Sequence, residues 1–113
     1  MEQVERPIER GDVFRASLPG PGHQTRGPQY AVVISDEPYN WLSTLVIVPL
    51  SSSAQPSATH PELRFRGARA RALVEQVTAL DKRHLREKVD NLSGTGAMEI
   101  IDEQLRYLLA LDY

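Results

Sequence analysis

The sequence predicts a mainly β fold, a small antiparallel barrel or strongly curved sheet closed on one side by a C-terminal α-helix. Three observations predict it. Two continuous apolar runs, Ala31-Val32-Val33-Ile34 and Leu45-Val46-Ile47-Val48-Pro49-Leu50, have strand length and β-branched content. Glu62-Leu63-Arg64-Phe65-Arg66 alternates apolar with charged residues, and Arg69 to Val77 returns with Ala70, Ala72, Val74 and Gln76 on one parity, as a hairpin does. Near the end, Met98, Ile101, Leu105, Leu108 and Leu109 recur at helical spacing.

Taken in order, Met1 to Glu9 is polar, carries Pro7 and reads as a flexible arm, with residues 10–113 as a single domain. Gly11 to Leu18 sets Val13 against Phe14, Ala16 and Leu18, a first strand that Pro19-Gly20-Pro21-Gly22 must end. A loop then runs through Pro28. Tyr30 to Ser35 lacks polar alternation and reads as a strand buried on both faces, and Asp36-Glu37-Pro38-Tyr39-Asn40 as a turn. Ser43 to Leu50 is the next strand, which Ser51-Ser52-Ser53 and the polar segment after it cannot continue. The hairpin follows, with Gly67-Ala68 as its turn and a cationic outer face. Asp81 to Leu85 reads as a short helical turn. The closing helix begins near Ala97, with Ser93 or Thr95 as its N-cap.

A chain of 113 residues, 41% hydrophobic and 25% charged, is sized for one core without staples. Cysteine is absent, which excludes disulfides, thiolate metal sites and a cysteine nucleophile, and fits a reducing cytoplasm. Met1-Glu2-Gln3-Val4-Glu5 has no apolar leader, and no apolar run approaches the roughly 20 residues that span a bilayer, so the expectation is a protein with no membrane partner. The net charge of −2 is patchy: eleven of thirteen basic residues are arginine, and Arg64, Arg66, Arg69 and Arg71 crowd one segment. That segment can steer a polyanion or simply protect a sheet edge.

Arg26 lies between Thr25 and Gly27 in a loop with no apolar spacing, so packing does not require it. It is either a solvated arginine or a guanidinium fork for phosphate. Ser51, directly after a buried strand, is either a turn device or a hydroxyl for phosphate at the barrel rim. His23, in the same loop as Arg26, is placed to trade protons if it meets a substrate. Tyr30, Tyr39 and Trp41 flank the apolar strands and can fill core or stack on unpaired bases. No His, Asp or Glu spacing reads as a metal site.

These residues, in this order, resemble the MazF/PemK family of toxin endoribonucleases. Arg10-Gly11-Asp12-Val13 matches the family's first strand, and Gly22 to Gly27 with Ala31 to Ser35 matches in part its Gly-rich loop and following strand. Val48-Pro49-Leu50-Ser51 matches its Val-Pro-x-Thr/Ser element, and Glu75-Gln76-Val77-Thr78-Ala79-Leu80-Asp81 its Glu-Gln-x-x-x-Leu-Asp element. The likeness covers Arg10 to the end. It implies an SH3-like barrel of the CcdB/PemK type, a homodimer, and metal-independent, cofactor-free cleavage of single-stranded mRNA. In that reaction the RNA's 2′-hydroxyl attacks phosphorus, leaving a 2′,3′-cyclic phosphate and a 5′-hydroxyl, until a MazE-like antitoxin blocks the groove. Carried onto this chain, the catalytic set is Arg26, Ser51, Gln29 and His23. The RNA-binding set is Gln24, Thr25, Tyr30, Ser52, Ser53, Arg64, Arg66 and Gln76. The chain departs from the pattern where it matters most: Gln24 replaces a common glutamate, Gln29 stands where the family has its catalytic arginine, and Tyr30 replaces a proline. Arg26, three residues earlier, is the nearest loop cation to make good that charge. The alternative is a non-catalytic module that binds RNA, antitoxin or, like CcdB toxins, gyrase; the ending Leu108 to Tyr113 lacks the Trp-Gly-Ile of those gyrase poisons.

Overall fold

The computed structural model describes residues 7–18 and 29–111. Seven strands and one helix follow in order: β1 (Asp12–Ala16), β2 (Gln29–Val33), β3 (Thr44–Ser51), β4 (Glu62–Phe65), β5 (Ala68–Ala72), β6 (Thr78–Asp81), β7 (Leu85–Asn91) and α1 (Ala97–Leu108). Every pairing is antiparallel, in the order β4-β5-β3-β2-β1-β7, with β6 also on β3. The long β3 carries two partners on one edge: its C-terminal end pairs with β5 and its N-terminal half with β6. This splits and curls the sheet into the expected mainly β half-barrel with a C-terminal helix.

Two apolar clusters fill the two faces. Val13, Val32, Val48 and Leu50 meet Leu63, Phe65, Ala70 and Val74 beneath α1, which contributes Ala97, Met98 and Ile101. Phe14, Ala16, Ala31, Val33, Leu45, Ile47 and Leu80 form the other. Successive residues of β1, β2 and β3 thus enter different cores, which is why β2 and β3 read as continuous apolar runs. Each fully buried Val, Leu or Ile adds roughly 1.5–3 kcal/mol.

The Arg10-Gly11-Asp12 start is structural. Arg10 forms an ion pair with Asp102 of α1 and donates from Nε to the Ile34 carbonyl at 3.0 Å, tying helix to sheet. Gly11 has φ +97°, and a Cβ there would lie 2.6 Å from the Ser93 Oγ, so only glycine fits. Within the expected arm, Ile8 packs on the second core and Glu9 N–H bonds Asp12 at 2.9 Å.

Several local expectations are corrected. The hairpin turns at Arg66-Gly67, not Gly67-Ala68. Arg66 (φ 54°) and Gly67 (φ 79°) both take left-handed conformations, the requirement of a two-residue turn whose twist matches its strands, and Ala68 is released to pair with Phe65. An arginine in that conformation costs about 1 kcal/mol. Past Ala72 the chain leaves the sheet in a 3₁₀ turn over Val74–Gln76, so β5 stops short of Val77. The N-cap position of α1 is Gly96. Thr95 Oγ1 still accepts from Ala97 N–H at 3.2 Å, whereas Ser93 donates to the Arg10 carbonyl. Trp41 fills no core; it is 77% exposed. β6 and β7 are strands where Thr78 to Asn91 had shown only the Asp81–Leu85 turn, which is observed as a 3₁₀ turn over Lys82–His84. No helix among the described residues is long and apolar enough to cross a membrane.

Candidate functional site

The C-terminal end of β3 opens into a groove of about 860 Å³. Antiparallel register builds it: Leu50 lies opposite Tyr30 of β2 on one side and Ala72 of β5 on the other, and Ser51 opposite Arg71. Gln29, Ser51, Ser52, Ser53, Gln76 and Thr78 supply polar groups, and Arg66 and Arg69 supply cations. The floor is apolar, with Leu18, Leu50, Phe65 and Leu73. Hydroxyls and guanidiniums around an apolar base suit a ligand with anionic linkages and flat, stackable groups.

Of the residues expected at the site, Gln29, Tyr30, Ser51, Ser52, Ser53, Arg66 and Gln76 line this one groove. His23, Gln24, Thr25 and Arg26 lie outside the described residues, as does the whole of 19–28. The two residues that bracket that stretch are joined: Leu18 N–H donates to Gln29 Oε1 at 3.0 Å, and both line the groove. Gln29 therefore ties residues 18 and 29, the two ends of the described chain on either side of that stretch. Arg64 is not among the groove-lining residues; its Nη1 donates to the Gly67 carbonyl at 3.4 Å. Tyr30 tilts against Phe65, ring centroids 5.1 Å apart, which fixes its ring at the groove wall. Ser51 is half-buried, and its Oγ accepts from Ser53 N–H at 3.2 Å, leaving its own O–H to donate.

Sequence reasoning left Arg69 and Thr78 out of the site. Arg69 was visible only as one of four clustered arginines, and Thr78 needed β6 to be recognised as a strand. Among the described residues, no three His, Asp or Glu side chains gather to hold a metal ion.

Beside the groove, His60 and Glu75 fix the segment after the serine triplet. His60 Nε2 meets Glu75 Oε2 at 2.9 Å and its Nδ1 lies 2.8 Å from the Gln55 carbonyl oxygen. The bond to Glu75, then that to Gln55, raises the imidazole above its ordinary 6.5 against an opposing effect of burial. Burial pulls the Glu75 carboxyl upward, but bonds from His60, its own backbone N–H and Thr59 outweigh it, leaving it below the ordinary 4.5. A raised histidine stabilises fully below 6.5, and that contribution is lost as pH rises through the raised folded value. A depressed carboxyl stabilises above 4.5 and loses its contribution as pH falls through the lowered value. The pair therefore contributes most between these limits. The gap in Tm between wild type and Glu75→Gln should be widest near pH 6 and shrink by pH 9; an unchanged gap over that range would show that the pair is not an ionic one.

Comparisons with known proteins agree with the geometry. Residues 9–109 match the family model described as PemK-like, MazF-like toxin of type II toxin-antitoxin system. The chain is 36% identical over 104 residues to a candidate toxin of Mycobacterium tuberculosis, Rv3098A, covering 89% of this chain and 97% of that protein. It is 33% identical over 113 residues to the endoribonuclease MazF of Staphylococcus epidermidis, covering 93% of each. Its fold superposes on crystal structures of Deinococcus radiodurans MazF, alone (TM-score 0.77, 23% identity, 94% of this chain and 99% of that one) and with MazE (0.76, 22%, 96% and 100%). The half-barrel, the serine-ended central strand and the match over nearly the whole chain converge: this protein belongs to the PemK-like, MazF-like toxins of type II toxin–antitoxin systems.

Proposed function

We propose that the chain is a cytoplasmic, homodimeric mRNA interferase, cleaving single-stranded RNA at specific sequences and neutralised by a MazE-like antitoxin. The observation that carries this reading is the groove at the end of β3, where Ser51, Ser52 and Ser53 meet Gln29, Tyr30, Gln76 and two arginines in one opening. The S. epidermidis relative is named an endoribonuclease, and MazF of D. radiodurans is seen bound to MazE.

In this reading the RNA's 2′-oxygen attacks the adjacent phosphorus, the bond to the 5′-oxygen breaks, and a cyclic phosphate and 5′-hydroxyl are left. No water or metal enters the step. Ser51 donates its O–H to a non-bridging phosphate oxygen as charge builds, and Arg26 supplies the cation that Gln29 cannot. His23 takes the 2′-hydroxyl proton or returns one to the leaving oxygen. Gln24, Thr25, Ser52, Ser53, Arg66 and Gln76 hold the strand, with a base on Tyr30, while Arg64, turned to the Gly67 carbonyl, stays outside the groove.

A second reading, binding without cutting, draws on Gln29, an uncharged side chain at the family's cationic position and already bonded to Leu18. One experiment separates the two. Purified protein incubated with a long single-stranded RNA in EDTA should give discrete fragments with 5′-hydroxyl ends, and Arg26→Ala should slow their appearance at least tenfold. Intact RNA would leave only the binding reading; undiminished cutting by Arg26→Ala would remove Arg26 from the mechanism.

A further inference from the structure

The four clustered arginines are not equivalent. Arg71 is engaged: it donates to the His60 carbonyl at 2.8 Å and to Glu62 at 3.3 Å, and is only 23% exposed. Arg64 turns to its own hairpin. Arg69 is 69% exposed, lines the groove and meets Glu62 only loosely, at 3.6 Å. It lies two residues along β5 from Arg71, the register partner of Ser51, and so on the same face.

Arg66 breaks a local rule. Its position in the two-residue turn favours Asn, Asp or Gly, yet an exposed arginine holds it at φ 54°, with its backbone N–H secured by Asp90 Oδ2 at 2.8 Å. The side chain is not buried in either core; it lines the groove, and its charge also helps hold the Glu87 carboxyl of β7 below its ordinary range, after the larger effect of Arg15. A residue kept in a disfavoured conformation with no packing return points to a ligand.

We infer that Arg66 and Arg69 form a clamp for backbone phosphates of a single RNA strand on the β4–β5 wall, facing Ser51–Ser53, with Glu62 as a built-in counter-charge that Arg69 leaves when phosphate arrives. The inference rests on the RNA reading of the groove. Guanidinium forks match phosphate oxygens two at a time, which the exposed side chain of Arg66 and the loose ion pair of Arg69 leave them available to do. Because Arg71 keeps its bond to the His60 carbonyl, neutralising Glu62 frees Arg69 without releasing the loop.

The test measures binding of a single-stranded RNA carrying 2′-O-methyl groups, which cannot be cut, at several salt concentrations in EDTA. Arg66→Asn and Arg69→Gln should each weaken binding about fourfold at 0.15 M salt and lower the salt slope by about 0.7, the loss of one phosphate contact. Arg69→Lys should keep the slope, and Glu62→Gln should tighten binding. Arg66→Asn should also raise Tm by about 3 °C, because asparagine accepts the turn conformation. Wild-type affinity and slope in both arginine variants, or a lower Tm with Arg66→Asn, would overturn the clamp. Loss confined to an acidic antitoxin peptide would overturn it for RNA. Wild type that neither binds nor cuts RNA removes the RNA reading itself, an outcome visible before any variant is made.

Discussion

Asp12→Ala is expected to lower the free energy of unfolding by about 3 kcal/mol, the largest loss for any single polar side chain outside the groove. Asp12 is 1% exposed, yet it carries a carboxylate. Its Oδ1 accepts from Asn91 Nδ2 at 2.7 Å and lies 3.1 Å from Lys88 Nζ, both on β7, while Oδ2 accepts from Glu9 N–H at 2.9 Å. One side chain thus holds β7 to β1 and the N-terminal segment to both. Alanine leaves the Asn91 amide and the Glu9 N–H without their acceptor. Asp12→Asn would be the milder change, since an amide keeps one acceptor oxygen but gives up the charge facing Lys88. Urea unfolding should show the midpoint fall at unchanged slope, with the asparagine variant between wild type and Asp12→Ala. A loss under about 1 kcal/mol for the alanine variant would mean that water replaces these bonds and that the network is incidental.

How much of this was legible in the chain depends on how each feature is encoded. The alternation of Val13 with Phe14, Ala16 and Leu18 assigned each side chain to the core it occupies, because period-two patterning is a direct record of which face is wet or dry. The unbroken Ala31–Ile34 run likewise announced a strand between two apolar layers. β7 was not legible: Leu-Arg-Glu-Lys-Val-Asp-Asn carries two apolar residues, since an edge strand with an exposed face needs few, and its hold on β1 is the backbone ladder with the Asp12–Asn91 bond added, neither of which shows as an apolar pattern. The Arg66-Gly67 turn was missed because turn rules point to glycine and away from arginine. The pairing of His60 with Glu75 spans 15 residues and has no local signature at all. At the site, Ser51 could be placed from its position after a buried strand, whereas the role of Gln29 as a tie to Leu18 comes only from three-dimensional proximity.

Ser51→Ala is the substitution expected to cost most activity, about 10²-fold in turnover under the cleavage reading, the usual effect of removing one preorganised donor to a developing anion. The physical basis is placement. Ser51 ends the strand whose neighbours on either side are β2 and β5, so its hydroxyl is held by the sheet while Ser52 and Ser53 extend beyond it. The Ser53 N–H directed at its oxygen aims the hydroxyl hydrogen elsewhere, so the donor needs little rearrangement when charge appears on phosphate. Stability should hardly change, because Ser53 is exposed and water can replace the lost acceptor. Turnover and binding should therefore separate: Ser51→Ala should bind the 2′-O-methyl RNA like wild type but cut unmodified RNA slowly, and Ser51→Thr should retain most of the rate. If Arg26 serves the same developing charge, the double variant Ser51→Ala with Arg26→Ala should lose less than the product of the single losses, since groups acting as a unit are not additive. Full activity in Ser51→Ala would place the donor on Ser52 or Ser53 instead, while equal losses in binding and turnover would make the hydroxyl a gripping group, not one that acts on the transition state.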